Sequence, residues 1–185
     1  MIFVIGLGNP GNKYKDTRHN LGQVILDFLG QKLQIASFKF HTKLKSQISK
    51  NSKVMLIKPE TYMNESGQAV RAVLGFYKNS SDLATQQLSD LYVIHDDLDL
   101  EIGNYKIQLG KGPKVHNGLN SIYQHLATDQ FWHVRVGIDA RKGDRSTPPD
   151  KYVLGKFNPE EKEKLDSIIK SISDELLKKI NSNAL

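Results

Sequence analysis

The sequence predicts an α/β fold: a three-layer α/β/α sandwich around a twisted, mostly parallel mixed sheet, forming a single domain over residues 1–185. Three observations carry this expectation. Residues 2–5, 54–57 and 91–94 are short, largely β-branched apolar runs, the signature of strands buried on both faces. Stretches with apolar residues at helical spacing alternate with them, which is the element order of a layered α/β protein. Each run also empties into a polar segment, and open α/β sheets hold their binding crevice outside the carboxyl ends of the strands.

Taken in order, Ile2, Phe3, Val4 and Ile5 predict the first strand, closed by Gly6. Leu21, Val24, Ile25, Phe28, Leu29 and Leu33 predict one face of a helix. Residues 38–49 are basic with partial alternation (Phe38, Phe40, Thr42, Leu44), as in an exposed edge strand or hairpin. The run 54–57 predicts the second buried strand, and Val70, Val73, Leu74 and Tyr77 a second helix. Residues 91–94 form a third buried strand leading into His95, Asp96, Asp97, Leu98 and Asp99. A glycine-rich, lysine-bearing loop follows at 110–115, then a helix marked by Leu119, Ile122, Tyr123 and Leu126 and an alternating strand at 132–138. Residues 142–151 contain Gly143, Pro148 and Pro149 and predict a mobile loop. The last helix is signalled by Asn158 as N-cap, Pro159 at the first position and Glu160 and Glu161 against the dipole; its stripe runs from Leu165 to Ile180.

The chain has 185 residues, 25% charged and 38% apolar, the composition of a globular protein with one full core. It contains no cysteine, which excludes disulfides, thiol nucleophiles and cysteine metal sites. No apolar run is long enough to span a bilayer and no charged segment precedes the first strand, so a cytoplasmic protein is expected. Lys+Arg 26 against Asp+Glu 20 gives a net charge of +6, compatible with a polyanionic partner such as RNA or with an ordinary solvated basic surface.

The densest chemistry lies at residues 6–20. Gly6, Gly8 and Gly11 match G-x-G-x-x-G, but the helical pattern starts about nine residues after Gly11, whereas a dinucleotide site needs the glycines to open the helix. His19 sits in a polar loop rather than on an apolar face, and a functional histidine needs a partner that fixes its tautomer. Asp96, directly after a buried strand, is the candidate. The cluster Asp96, Asp97 and Asp99 leaves a second use open, a hard cation such as Mg²⁺. No G-x-S-x-G elbow or Ser–Lys signature is present, so a histidine acting on water is the simpler chemistry. Asn9, Asn64 and Asn117 recur, one per polar loop; neutral amides suit a carbonyl or an oxyanion, and also turns and caps.

These residues resemble the bacterial-type peptidyl-tRNA hydrolase family. The likeness is carried by Gly6-Leu7-Gly8-Asn9-Pro10-Gly11 with Tyr14 and Thr17-Arg18-His19-Asn20, by Lys58-Pro59 with Thr61-Tyr62-Met63-Asn64 and Ser66-Gly67, and by His95-Asp96-Asp97-Leu98-Asp99. His116-Asn117-Gly118-Leu119, Arg135-Val136-Gly137-Ile138 and residues 152–157 complete it. The resemblance implies hydrolysis of the ester between a peptidyl or other N-blocked aminoacyl group and the 3′ end of tRNA, recycling tRNA from drop-off products. It implies His19 as general base, Asp96 as its orienting partner, and Asn9 as the residue separating blocked from free aminoacyl-tRNA. Tyr14, Tyr62, Met63, Asn64, His116 and Asn117 match substrate-binding positions. Lys106, Lys111, Lys114 and Arg135 are the expected phosphate contacts. No metal or organic cofactor, no membrane and no obligate protein partner are implied, and a monomer is expected. Three departures stand out: Val115 replaces the glycine usual before His116, Asp139-Ala140-Arg141 replaces the usual continuation after Ile138, and Gln108 stands where a basic residue is frequent. Rival readings are a non-catalytic RNA-binding protein and a metal-dependent phosphodiesterase.

Overall fold

The computed structural model describes residues 1–78 and 88–182. Its frame is a seven-stranded sheet in the order β2-β3-β4-β1-β5-β7-β6. The four central strands β4 (Val54–Pro59), β1 (Ile2–Gly6), β5 (Leu88–Glu101) and β7 (Phe131–Asp139) run parallel. The edge strands β2 (Lys39–His41), β3 (Ser46–Lys50) and β6 (Tyr105–Leu109) are antiparallel to their neighbours. The sheet is therefore mixed, with parallel pairing where both faces are covered and antiparallel pairing at its rims.

Helices α1 (Leu21–Lys32) and α5 (Pro159–Ser182) cover one face, packing Ile25, Leu29, Ile168 and Ile172 on Val4, Leu56 and Ile94. Helices α2 (Ser66–Lys78) and α3 (Asn117–Leu126) cover the other, packing Val70, Leu74, Leu119 and Ile122 on Ile5, Ile57 and Val93. Alternation along each central strand divides the apolar side chains between these two cores. In α1, Leu26 is buried and Val24 is 41% exposed, so the stripe is rotated by one position from the predicted one.

Two further differences bear on the site. The third buried strand does not stop at Ile94. β5 continues through His95, Asp96 and Asp97 because β7 keeps pairing with it there, whereas β1 ends opposite Ile94 at Gly6. The polar residues of β5 thus stand beside an open slot at the carboxyl end of β1. At 142–151, the last three residues belong to a short helix, α4 (Pro149–Val153), with proline at its first position. Tyr152 anchors it: its hydroxyl donates to the Ile138 carbonyl and accepts from the Ala140 amide, both at 3.0 Å.

Candidate active site

The segment between β1 and α1 is held at several points. Gly6 and Gly22 let β1 and the first turn of α1 touch: a Cβ on Gly6 would lie 2.5 Å from the Gly22 carbonyl oxygen. Gly11 adopts φ 94°, a turn only glycine takes without strain, and starts a 3₁₀ turn rather than a helix that could receive a pyrophosphate. The G-x-G-x-x-G pattern is thus a packing and turn device. Further on, Arg18 is buried and its Nη2 donates to both carboxylate oxygens of Glu161 at 3.0 and 2.9 Å, while the guanidinium lies 4.2 Å from the Tyr152 ring centroid. Glu161 also closes the α5 capping box with Asn158: the Asn158 amide donates to Glu161 Oε2 (2.7 Å) and the Glu161 amide to Asn158 Oδ1 (2.8 Å). One carboxylate therefore fixes both the start of α5 and the residue next to His19.

His19 lies in the 3₁₀ turn Arg18–Asn20, 8% exposed. Its Nδ1 is 2.8 Å from Oδ1 of Asp96. A carboxylate accepts, so Nδ1 carries the hydrogen and Nε2 keeps its lone pair. Burial lowers the His19 pKa, but the charge and hydrogen bond of Asp96 outweigh it, and the net shift is upward from 6.5. Asp96 is fully enclosed, which alone would raise its pKa; the facing imidazoles His19 and His116 overcome this and hold it far below the usual carboxylate range.

His116 shares the same oxygen, with Nε2 at 3.1 Å from Asp96 Oδ1. It is also the N-cap of α3: its Nδ1 accepts from the Leu119 amide at 3.3 Å. An acceptor at Nδ1 requires the hydrogen on Nε2, so His116 is a neutral donor to Asp96. Both its nitrogens are engaged inside the protein, which leaves neither free for the substrate contact predicted from sequence. Behind it, His95 is fully buried and held well below 6.5 chiefly by burial, and His133 is likewise lowered to about 4. Both are neutral.

Asn9 is 8% exposed, and its Oδ1 accepts from the Met63 amide at 2.8 Å, which orients its NH₂ as the group left to donate. Sequence reasoning missed what holds it. Asn20 does not cap α1; its side-chain amide brackets the Asn9 backbone, accepting from Asn9 N and donating to Asn9 O, each at 2.9 Å. The signal lay in the pairing of two asparagines across one loop, which only the folded loop reveals.

His19, Asp96, His116 and Asn117 line a cleft of about 480 Å³, walled by Leu98, Asp99, Pro113, Lys114, Val115 and Val153. A larger cavity, about 840 Å³, borders Asn9, Gln23 and Lys58 but contains no histidine. The smaller cleft holds the acid–base pair and is the better candidate. Met63 is buried in the core beside Asn9, while Tyr62, Asn64 and Asn117 are exposed; Tyr62 meets Tyr14 edge-on at 6.5 Å. Of the predicted phosphate contacts, Lys106, Lys111 and Lys114 are exposed. Arg135 is not: it is 7% exposed, its Nε donates to Asp97 Oδ2 at 2.7 Å and its Nη1 to Gln108 at 3.1 Å. An internal ion pair is its structural use, because strand alternation turns Arg135 and Asp97 to one face of adjacent parallel strands. The aspartate cluster is likewise dispersed: Asp97 is taken by Arg135, Asp99 accepts the Lys114 amide at 2.9 Å, and Asp96 is held by imidazoles.

The model of one family, described as peptidyl-tRNA hydrolase, matches residues 3–184. The chain belongs to the peptidyl-tRNA hydrolase family. Relatives of that name include one from Clostridium perfringens, 36% identical over all of this chain and 93% of the relative, and one from Anaeromyxobacter dehalogenans, 44% identical over 90% of this chain and 83% of the relative. The crystal structure of peptidyl-tRNA hydrolase from Acinetobacter baumannii is similar across the whole of this chain and 90% of its own, with TM-score 0.84 at 30% identity. Among the described residues no helix is long and apolar enough to cross a membrane.

Proposed function

We propose that this family member hydrolyses the ester linking a peptidyl or other N-blocked aminoacyl group to the 3′ end of tRNA, with His19 as general base and Asp96 as its orienting carboxylate. The observation that carries the residue assignment is the 2.8 Å contact between His19 Nδ1 and Asp96 Oδ1, at the wall of an open cleft. It leaves Nε2 unprotonated and available to a water molecule.

Nε2 takes a proton from that water as its oxygen attacks the ester carbonyl. Asp96 stabilises the imidazolium that results, as an ionised carboxylate does beside a protonated histidine. The tetrahedral oxyanion accepts hydrogen bonds from amide donors, and Asn117, which lines the cleft, supplies one. Collapse expels the ribose oxygen, which recovers the proton from Nε2. The free NH₂ of Asn9 suits the carbonyl of an N-blocked group, and an unblocked substrate presents an ammonium and no such carbonyl. Lys106, Lys111 and Lys114 supply exposed positive charge for tRNA phosphates. We further propose that the chain works as a single domain and as a monomer.

Release of N-acetyl-amino acid from charged tRNA tests the reading, with His19→Ala as control. Absence of release by the wild-type chain, or an equal rate in the variant, sinks it. The phosphodiesterase alternative is disfavoured because Asp97 and Asp99 are already paired within the protein.

A further inference from the structure

The geometry points to a second use of the catalytic cluster: His19 Nδ1, Asp96 Oδ1 and His116 Nε2 form a binding site for a zinc-class divalent cation, and its occupancy stops hydrolysis. One ligand atom from each residue lies within 4.8 Å of both others, and the two imidazole nitrogens approach the same carboxylate oxygen at 2.8 and 3.1 Å. Ligand atoms around a tetrahedral zinc stand about 3.3 Å apart, given metal–nitrogen and metal–oxygen distances of about 2.0–2.2 Å. The two nitrogen–oxygen distances lie within about 0.5 Å of that spacing, and the two nitrogens, within 4.8 Å of each other, reach it as the rings turn toward the cation.

The donor set selects the cation. Two neutral imidazoles and one carboxylate suit Zn²⁺, Co²⁺ or Cu²⁺, whereas Mg²⁺ and Ca²⁺ take oxygen ligands. Asp96 accepts from both rings, as a carboxylate does, and His116 is already neutral; each ring has only to exchange tautomer for the facing nitrogen to coordinate. Because the three residues line the 480 Å³ cleft, the remaining coordination position opens toward it. This is the three-ligand, open-position arrangement of zinc sites that accept water.

Coordination also changes what each imidazole can do. With the metal on His19 Nδ1, the hydrogen of the neutral ring moves to Nε2, the atom the proposed reaction requires bare. Asp96, bound to the cation, no longer holds the base in its active tautomer. On His116 the hydrogen moves from Nε2 to Nδ1, facing the Leu119 amide, so binding gives up the 3.3 Å cap bond. Inhibition rests on the functional reading above; cation binding itself does not.

The test is calorimetric titration of the full, metal-free chain with ZnCl₂, alongside the visible spectrum of the Co²⁺-loaded chain. Controls are His116→Asn, which keeps a side-chain oxygen to cap α3, and Asp96→Asn, both checked for folding by circular dichroism. Wild type is expected to bind one equivalent at micromolar Zn²⁺ and to show a tetrahedral cobalt band. Both variants should bind at least ~10-fold more weakly, since loss even of an outer partner costs that much. Hydrolysis by the wild type should fall with Zn²⁺, be insensitive to equal Mg²⁺, and return with chelator. No binding at micromolar Zn²⁺, no cobalt band, or a loss smaller than tenfold in either folded variant overturns the inference. Failure of the metal-free chain to hydrolyse charged tRNA instead overturns the functional reading while His116-dependent binding stands.

Discussion

Asn9, His19 and Asp96 are buried and each is gripped by at least one hydrogen bond from another part of the chain, whereas Tyr62, Asn64 and Asn117 are exposed, with no side-chain hydrogen bond among the described residues. The difference separates two tasks. A base must keep one tautomer and one direction before substrate arrives, so its partners are internal and rigid. A group that recognises substrate is satisfied by water until the substrate replaces it, so it can stand unpaired at the surface. Burial of the first set also raises the stakes of each contact, because an unpaired buried group costs far more than an exposed one.

The comparison can be broken by mutation. The largest expected effect is His19→Ala, which should lower hydrolysis of N-acetyl-aminoacyl-tRNA by ~10²–10⁴-fold with the far-UV spectrum unchanged. A rate within threefold of wild type would remove the buried set from the chemistry. Asp96→Asn should cost at least ~10²-fold and also move the pH profile. The His19 pKa is raised from 6.5, so the wild-type rate should fall on acidification with a midpoint above that value, as the base becomes protonated. Removing the carboxylate charge takes away what raises it, and the midpoint should shift to lower pH; an unmoved limb assigns the titration to another group.

Arg135 and Lys114 contrast the two environments within one predicted set. Arg135→Ala leaves Asp97 buried and unpaired and should reduce stability by about 3–5 kcal/mol, read from denaturant unfolding. Lys114→Ala should leave stability within about 0.5 kcal/mol and reduce the slope of log affinity for tRNA against log salt by about 1. The opposite pattern, a stable Arg135→Ala with weakened salt dependence, would return Arg135 to the RNA surface. The smallest effect expected is in Asn9→Ala. It should narrow the ratio of rates on blocked and free aminoacyl-tRNA while the Asn20 bracket, which holds only the backbone of residue 9, stays formed.

Much was legible in the chain because it is written locally. The strand cores, the helices and the N-cap of α5 depend on near neighbours in sequence and appear close to where periodicity and capping chemistry put them, apart from the one-position rotation of the α1 stripe and the extension of β5 through His95, Asp96 and Asp97. β6 is not among the predicted strands, although the alternation of Tyr105, Ile107 and Leu109 with Lys106 and Gln108 is a local period-two mark. His19 stood out in a polar loop off any apolar face, and Asp96 directly after a buried strand. What the chain alone did not settle involves partners distant in sequence. The Arg18–Glu161 pair spans 143 residues, and the Asp97–Arg135 pair 38. An arginine reads the same in sequence whether it meets a phosphate or a buried aspartate. The ending of β1 opposite Ile94, two residues before Asp96, opened the slot, and the cap of α3 fixed the tautomer of His116. Local composition determined which groups could do chemistry; strand order and helix placement decided which of them meet, because contact across a sheet has no signature within any single stretch of chain.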